Sequence, residues 1–449
     1  MTVQDLTAQV LETKTGSWNG DQTVRLPFPA NWTVKHIRGR FLAAAGPEEM
    51  QEALDHPLGS APLPQLLKNK RSVAIIVDDA TRPTPVSSIV MKILEEIRGA
   101  GIPDHQVTVL VALGTHVLTD PSLLRSKYKG ILDTNVRFIL PDCRNSKDYV
   151  HVGQSKRNIP VFVHRHYAHA DVKITVSGIY PHAEAGFSGG AKILIGALRL
   201  STLSLFHQQF SASGRGRSIE NPFRDELESF ADLAGMDFSV NILMNHEKQV
   251  HRMWCGNFRT AFREAAAHAQ DALAVTPQRD AHVVISNAYP LDTSLTVMTK
   301  SQWPFKYARK DAKCILMASP ASLSDYRLRP CVTQGEWFRE AIKSFLLPLP
   351  VRRGVNHLRN HRFRLKFAKN PPDMWKRYFV YFMPCTTMAP TEKPQAISSH
   401  AVFTSWDVLR NALNTSLPHE GEVKVAFYDF APMHYSWENP EENPLKASD

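Results

Sequence analysis

The residues best suited to chemistry are concentrated in one short segment, PHAEAGFSGGAK at positions 181–192. It opens with His182, closes with Lys192, and contains a glycine-rich run made of Ser188, Gly189 and Gly190. An imidazole titrates near neutral pH, and a lysine amine can neutralise a phosphate or form a covalent bond. Backbone N–H groups of a glycine-rich turn at a helix start can hold an anion. The segment therefore indicates a site for a phosphorylated ligand, although a tight turn beside an exposed lysine would have the same sequence.

The segment does not fit the P-loop of nucleoside triphosphatases. That motif requires a lysine directly after the last glycine, followed by a serine or threonine that binds magnesium. Here Ala191 separates Gly190 from Lys192, and Ile193 follows the lysine. We therefore do not expect an NTPase.

Two further motifs carry side chains suited to proton transfer and anion binding. GTH places His116 after the apolar run VTVLVAL. DDATRPTP supplies a turn held by two prolines, with three polar side chains of interest: Asp79, Thr81 and Arg82. Arg82 is suited to bidentate binding of a carboxylate or phosphate. A lone histidine after a strand is more often structural, but His116 and His182 together suit proton transfer on opposite faces of one ligand, as a racemase or epimerase requires.

Each motif directly follows a short run rich in β-branched residues. SVAIIV precedes DDATRPTP, VTVLVAL precedes GTH, and VKITVSG precedes the 181–192 segment. Between the first two motifs, SSIVMKILEEIRGAGIP (87–103) has apolar residues at helical spacing and a Gly-Ile-Pro stop. This order predicts parallel βαβ units in an α/β sheet. Because such sheets bind ligands outside the carboxyl ends of their strands, we expect the motifs to converge on one crevice.

The alternation of strands and helices continues through the second half of the chain. GNFRTAFREAAAHAQDALAV (256–275) predicts a helix, and a new strand begins at 282. KCILMAS and EGEVKVAFYDF predict strands, whereas GEWFREAIKSFLL (335–347) and SWDVLRNALNTS predict helices. We therefore expect an N-terminal α/β domain over 1–272, a C-terminal α/β domain over 276–437 and a disordered tail over 438–449.

The composition is that of an ordinary globular protein. The length of 449 residues corresponds to two or three domains. The five cysteines form no CxxC pair, which argues against a disulfide scaffold and against a cysteine-rich zinc site. Neither a transmembrane run nor a signal-peptide pattern is present, so we expect a cytoplasmic protein with no membrane partner.

The chain carries a net charge of +10, and much of the excess lies in one segment, 351–369. Five arginines and two lysines face no acidic residue there, and Phe363 and Phe367 are interleaved with them. Such a pattern can bind nucleic acid. No recognised nucleic-acid module accompanies the segment, so we interpret it as a solvated basic face and do not expect nucleic acid to be the ligand.

Together the motifs resemble the nickel-pincer lactate racemase family. The resemblance rests on DDATRPTP, GTH and PHAEAGFSGGAK, and it continues through NPFRDELESFADLAGMDFSVN (221–241) and the YPLD at 289–292. It implies two α/β domains with mainly parallel sheets and an active site in the cleft between them. The N-terminal domain would bind the cofactor and carry catalysis, and the C-terminal domain would close the site. The implied activity is an isomerase, a racemase or epimerase of 2-hydroxy acids, with cofactor-biosynthesis proteins acting upstream.

The resemblance also implies a role for each motif residue. Lys192 would carry the nickel-pincer nucleotide covalently, His207 would bind its nickel, and His116 and His182 would be the two acid/bases. Further contacts to the cofactor would come from Asp79, Thr81, Arg82, Ser188, Gly189 and Gly190. Contacts to the substrate would come from Arg82, Thr296, Val297 and Lys300.

One departure from the family bears on the substrate. The segment TSLTVMTK (293–300) has Thr296 and Val297 where the family carries tyrosine and glutamine. Losing a phenol and an amide removes two hydrogen-bonding groups, so we expect a 2-hydroxy acid other than lactate, such as a larger or sugar-derived one. Two other interpretations remain open: an oxidoreductase that uses the same cofactor, and a non-catalytic paralogue that binds an anionic ligand or nucleic acid.

Overall fold

The chain folds into two compact units in the computed structural model. The central unit, as we call it, comprises Arg40–Ala274, and the flanking unit comprises Met1–Gly39 together with the described residues from Val275 onwards. The structure describes residues 4–5, 10–18, 20–116, 121–210, 214–293, 295–320, 379–385, 395–397, 400–417 and 421–438.

The chain begins in the flanking unit and then builds the central unit. The first four strands are β1 (Gln4–Asp5), β2 (Val10–Thr15), β3 (Gln22–Pro27) and β4 (Trp32–Ile37). The strands of the central unit are β5 (Val73–Val77), β6 (Val107–Val111), β7 (Arg137–Ile139), β8 (Tyr149–Gln154), β9 (Pro160–His164), β10 (Val172–Gly178), β11 (Pro181–His182), β12 (Gly186–Phe187), β13 (Phe238–Met244) and β14 (Val250–Gly256). Its helices are α1 (Pro47–Asp55), α2 (Leu63–Leu67), α3 (Val86–Gly99), α4 (Pro121–Leu132), α5 (Arg165–Ala168), α6 (Leu200–His207), α7 (Pro222–Ala234) and α8 (Thr260–Leu273).

The central sheet has six strands in the order β14-β13-β10-β5-β6-β7. All neighbouring pairs are parallel except β13 and β14. Every residue of β5 and β6 is buried, as expected for parallel strands covered on both faces. The helix predicted over 87–103 is confirmed as α3, whose buried residues recur at helical spacing. One cluster against the sheet contains the aromatic side chains of Tyr167, Phe206, Phe223 and Phe230; each such burial contributes about 1.5–3 kcal/mol.

The chain returns to the flanking unit after α8. Among the residues described after α8, the strands are β15 (Val283–Asn287), β16 (Lys313–Met317), β17 (Val380–Phe382), β18 (Gln395–Ile397), β19 (His400–Phe403) and β20 (Val423–Tyr428). The α-helices in the same described residues are α9 (Leu295–Met298) and α10 (Trp406–Asn414). The strands predicted from KCILMAS and EGEVKVAFYDF are thus confirmed as β16 and β20, and the helix predicted from SWDVLRNALNTS as α10.

The flanking sheet has eight strands in the order β1-β4-β20-β15-β16-β17-β19-β18. The six inner strands are parallel, and β1 and β18 are antiparallel at the two ends. Residues 1–39, which we expected in the N-terminal domain, belong to this unit. The physical reason is that β4 pairs along its whole length with β20, from Trp32 opposite Val423 to Ile37 opposite Tyr428.

Several segments discussed from the sequence lie where the structure gives no description. The basic segment 351–369, the helix expected over 335–347 and the tail from 439 lie outside the described residues. Within the described ranges, none of the helices has the length and apolar character that crossing a bilayer requires. Four cysteines are free thiols there: Cys143, Cys255, Cys314 and Cys385.

Candidate active site

Three of the motifs leave the carboxyl ends of three adjacent parallel strands in the central sheet. DDATRPTP follows β5, GTH follows β6, and the 181–192 segment follows β10. Since β5 lies between β6 and β10, the loop with Asp79 and Arg82 stands between the two histidine loops. The crevice expected from the sequence therefore corresponds to one edge of one sheet.

A contact between His116 and Asp79 joins the loop after β6 to the loop after β5. The His116 Nδ1 lies 2.7 Å from the Asp79 Oδ2, and the other carboxylate oxygen accepts hydrogen bonds from the Thr81 backbone N–H, at 2.7 Å, and the Thr81 hydroxyl. Burial alone would raise the pKa of Asp79, but His116, Arg82 and Thr81 together hold it well below its ordinary value. An ionised carboxylate only accepts hydrogen bonds, so the Nδ1 of His116 must carry a hydrogen. In the neutral ring, Nε2 then has the lone pair.

His182 accepts hydrogen bonds at its Nδ1, whereas His116 donates one from its Nδ1. The backbone N–H groups of Glu184 and Ala185 both point to this nitrogen, at 3.3 Å each. Because these amides donate, Nδ1 accepts, and the hydrogen of the neutral ring lies on Nε2. The short hairpin of β11 and β12, in which His182 is opposite Gly186, brings these amides to the ring. The two histidines therefore begin with hydrogens on different nitrogens.

The loop after β5 is fixed by buried polar contacts. Asp78 accepts hydrogen bonds from the Thr84 hydroxyl and from the Gly178 N–H at the end of β10, both at 2.7 Å. Lys127 on α4 donates through Nζ to the carbonyls of Thr84, at 3.0 Å, and of Arg82. Burial lowers the pKa of Lys127 to about 8, and it raises the pKa of Asp78. Nothing in the sequence near Lys127 indicated this contact, because it joins positions more than 40 residues apart.

Arg82 presents a buried nitrogen toward this edge of the sheet. Its Nη1 has no hydrogen-bond partner among the residues that the structure describes. Its guanidinium carbon lies 5.7 Å from the centroid of the Tyr180 ring. A buried, unpaired guanidinium nitrogen is costly unless a ligand accepts its hydrogen bond. Arg82 therefore fits the sequence expectation of a group that binds an anion.

The glycine-rich run forms a strained turn before a 3-10 helix, Gly190–Ala197. Gly189 and Gly190 have φ angles of +90° and +54°, which favour glycine. The expected phosphate cradle needs correction, because two of its three amides are already used inside the protein. The Ser188 N–H donates to the Tyr180 carbonyl at 2.9 Å, and the Gly190 N–H donates to the Asn241 Oδ1 at 2.8 Å. In this conformation the run shapes the loop that ends at Lys192.

Burial lowers the pKa values of both Lys192 and His207. Burial is the main reason that the pKa of Lys192 falls to about 8; the charges of Arg82 and Arg224 lower it further, whereas Glu184 opposes them. Burial also lowers the pKa of His207, with Glu184 opposing and Lys192 adding to the shift. His207 is the last residue of α6, and its ring lies 5.2 Å from that of Phe206. Across the described ranges, no group of three or more His, Cys, Asp or Glu side chains is placed to hold a metal ion.

The expected substrate residues near position 300 belong to the flanking unit. Thr296 and Val297 lie in α9, and Lys300 lies in the 3-10 helix Thr299–Lys306. Val297 is only 3% exposed. Lys300 is half-buried.

Comparison with known proteins finds lactate racemases among the relatives that this chain resembles. A family model described as the lactate racemase N-terminal domain matches residues 19–218. The lactate racemase of Lactiplantibacillus plantarum is 27% identical over 281 residues, which cover 61% of this chain and 66% of the relative. The lactate racemase of Thermoanaerobacterium thermosaccharolyticum is 26% identical over 276 residues, which cover 60% of this chain and 65% of the relative. These matches span just under two thirds of the curated relatives' length.

Two solved structures share the fold over nearly the whole chain. The lactate racemase apoprotein from Thermoanaerobacterium thermosaccharolyticum superposes with a TM-score of 0.66 at 18% identity, covering 95% of this chain and all of that one. A crystal structure of a protein from Thermotoga maritima gives a TM-score of 0.54 at 14% identity, covering 88% and 99%. Residues 19–218 therefore resemble the N-terminal domain of lactate racemases in sequence, and the chain shares its fold with a lactate racemase apoprotein.

Proposed function

We propose that this protein is an isomerase that inverts the C2 centre of a 2-hydroxy acid. The proposal is carried by one observation: the loops that bear His116, its partner Asp79, and the pair His182 and Lys192 follow three neighbouring parallel strands at the same edge of the central sheet. The relatives named as lactate racemases support the same reaction class. Inversion requires proton transfer on two faces of the substrate, and two imidazoles supply it.

We further propose that the cofactor is a nickel-pincer nucleotide attached to Lys192. The residues fit such a group in two ways. An amine whose pKa falls to about 8 is neutral in an appreciable fraction of molecules near neutral pH, and only the neutral amine is nucleophilic. Arg82 offers a buried nitrogen without a partner in the described part of the chain, which suits an anionic group. His207 would be the protein ligand to nickel, and the chemistry that the group supplies when bound is reversible acceptance of a hydride.

The protein's own part in the reaction is to bind the acid and to move protons. Arg82 binds a carboxylate through its guanidinium group. The Nε2 of His116 takes the hydroxyl proton of one enantiomer, and Asp79 stabilises the imidazolium that forms, as a buried carboxylate does for a catalytic histidine. His182 holds its hydrogen on Nε2 and begins as the donor to the substrate. Loss of the hydroxyl proton and of the C2 hydride leaves a planar 2-keto acid. Inversion would then require the hydride to return to the opposite face of C2 while the second histidine returns a proton to the carbonyl oxygen.

The substrate is proposed to be a 2-hydroxy acid other than lactate. The basis is the pair Thr296 and Val297, which stand where the family carries tyrosine and glutamine. A site that hydrogen-bonds its substrate strongly rejects analogues that leave its polar groups unpaired, so changes of this kind alter substrate choice.

A panel of 2-hydroxy acids tests the proposal directly. The protein is co-expressed with the cofactor-building enzymes, and loss of optical rotation is followed for each acid. We expect racemisation or epimerisation of at least one larger acid, together with a mass increase on Lys192 and nickel in the sample. A protein that carries the adduct yet consumes an external electron carrier without changing chirality would instead be an oxidoreductase. An unmodified, nickel-free protein would contradict the proposed cofactor.

A further inference from the structure

Arg224 is a fully buried arginine in an unfavourable position. It lies in the first turn of α7, where its backbone N–H donates to the N-cap side chain of Asn221 at 2.9 Å. A cation is disfavoured at a helix N-terminus by the helix dipole and disfavoured again by burial. Arg224 has 0% exposure. A charge placed at such a cost is retained where it makes strong, specific contacts.

Those contacts are with the backbone of the loop that carries the candidate active-site residues. The Nη1 of Arg224 donates to the Gly189 carbonyl at 2.8 Å, and the Nη2 donates to the carbonyls of Ala185, at 3.3 Å, and Phe187. These three acceptors are alternate residues of the loop, and one planar guanidinium with several N–H groups reaches all of them. The guanidinium also stacks on Phe262, with its carbon 3.7 Å from the ring centroid.

The loop has a further contact from β13, and close packing around its glycines restricts its shape. The Asn241 side chain accepts the Gly190 N–H, as described above. A Cβ at Gly186 would lie 1.8 Å from the Ser218 carbonyl oxygen, and one at Gly189 would lie 2.2 Å from Ile179. Glycine permits this tight path but does not select it, because glycine is the most flexible residue in the unfolded chain. A selecting contact must come from outside the loop.

We propose that Arg224 is a positioning residue that fixes the 181–192 loop in the conformation that presents both His182 and Lys192. Its three acceptors lie between these two residues in sequence, so a single side chain sets the path that connects them. Its charge is also one of those that hold the pKa of Lys192 down. The conformational claim stands without the proposed function, whereas its importance for catalysis rests on it.

Hydrogen exchange of the full-length protein, without cofactor, tests the conformational claim. The reporters are the amides of Ser188 and Gly190, which are protected by the contacts described above. Arg224→Met removes all three carbonyl contacts. Arg224→Lys keeps the positive charge but lacks the planar guanidinium group whose two Nη atoms bind the three carbonyls. Arg263→Met is the matched control, because Arg263 binds Glu220 and Glu228 at the same helix without touching the loop.

We expect exchange at the two reporters to rise by about tenfold or more in Arg224→Met, because charged hydrogen bonds of this kind are lost. Arg224→Lys should lie between Arg224→Met and the parent, Arg263→Met should match the parent, and β5 and β13 should stay protected throughout. In loaded enzyme, Arg224→Lys should lower kcat more than it raises KM.

Parental exchange at both reporters in Arg224→Met would overturn the proposal. So would an equal rise in β5, β13 and the loop, since that indicates general destabilisation. If Arg224→Met does not fold, Arg224→Lys decides alone: parental loop exchange overturns the proposal and a local increase supports it. A protein that shows the local increase but racemises no substrate would lose the proposed function and keep this inference.

Discussion

The carboxyl edges of the two parallel sheets carry similar polar residues that are used in different ways. In the flanking unit, Asp292 accepts hydrogen bonds from the Thr15 hydroxyl at 3.0 Å and from the backbone of Gly16 at 2.6 Å. Asp429 accepts from Thr13 at 2.7 Å and pairs with His36 at 3.1 Å. Both carboxylates are 0% exposed.

In the central unit the corresponding groups keep access to a ligand. The His116 side chain is 26% exposed although its partner Asp79 is buried, and Arg82 has a buried nitrogen with no acceptor among the described residues. Lys192 has a pKa lowered to about 8. The difference teaches that a position at the carboxyl edge does not by itself define a site. Asp292 and Asp429 use their oxygens to bind residues 13–16. In the central unit, by contrast, His116 and Arg82 keep a lone pair or an N–H group that a ligand can use.

The largest expected effect is loss of Lys192. Lys192→Ala removes the amine, so cofactor loading and racemisation should both fall to background. The control is Lys173→Ala. Lys173 lies in β10 and is not part of any of the motifs, so this variant should bind the cofactor normally. Intact-protein and peptide mass spectrometry measure the adduct, and an adduct that persists in Lys192→Ala would place the attachment elsewhere.

The next largest effect separates proton transfer from loading. His116→Ala and His182→Ala should each lower kcat by roughly 10²–10⁴, the usual contribution of a general acid or base, without changing the adduct mass. Asp79→Asn should act in the same direction as His116→Ala, since the amide cannot stabilise the imidazolium. Racemisation at the parental rate in either histidine variant would refute the two-base scheme.

In the flanking unit, we expect substitution of Asp429 to change the stability of the fold rather than the reaction. Asp429→Asn removes the negative charge that His36 and Arg38 contact, and weakening these hydrogen bonds at a buried group costs about 1–3 kcal/mol. Burial opposes ionisation of Asp429, but His36, Arg38 and Thr13 outweigh it and hold its pKa below the ordinary value. The stabilisation is therefore present above the unfolded-state pKa, near 4, and is lost as pH falls through the lower folded-state pKa. Thermal unfolding at a series of pH values should show the difference between parent and variant shrinking only at acid pH.

A smaller effect on activity and stability is expected at Lys127. Its buried ammonium group holds the backbone of the loop that carries Arg82. Lys127→Met removes the contacts to the carbonyls of Arg82 and Thr84 but also removes the cost of burying an ammonium group. Stability at pH 7 should thus change by only about 1 kcal/mol, while kcat/KM falls because Arg82 is less well placed.

The pH dependence of that variant has a definite sign. The pKa of Lys127 is lowered from 10.5 to about 8 in the folded protein, so the unfolded state binds more protons between these values. The parent should therefore gain stability relative to Lys127→Met as pH rises from about 8 to 10.5. Melting temperatures across that range check the sign, and a constant difference would show that Lys127 is not desolvated.

Local sequence patterns were enough to predict the strands of the central sheet and the motifs that follow them. The buried runs of β5, β6 and β10 and the helical spacing of α3 depend on neighbouring residues, so the motifs could be assigned to one sheet edge. The pairing of β4 with β20 could not be predicted, because it joins segments almost 400 residues apart, such as Trp32 and Val423. Periodicity within a strand carries no information about its partner.

The contacts that shape the candidate site were also beyond sequence patterns. Arg224 and Lys127 act on backbone carbonyls, which every residue has, so their targets leave no trace in residue type. The glycine run was interpreted as an anion cradle because glycine amides can bind phosphate, yet the acceptors for two of them lie at Tyr180 and Asn241. Only the folded chain reveals which amides are already satisfied.

The most direct test of hydride transfer at the central unit is racemisation in D₂O. The loaded enzyme is given one enantiomer of its best substrate, and the product is examined by NMR for deuterium at C2. Because the C2 hydrogen leaves and returns as hydride while His116 and His182 handle only the hydroxyl proton, we predict an inverted product that keeps its original C2 hydrogen. Incorporation of solvent deuterium at C2 would show that the C2 hydrogen is removed as a proton, and it would contradict hydride transfer.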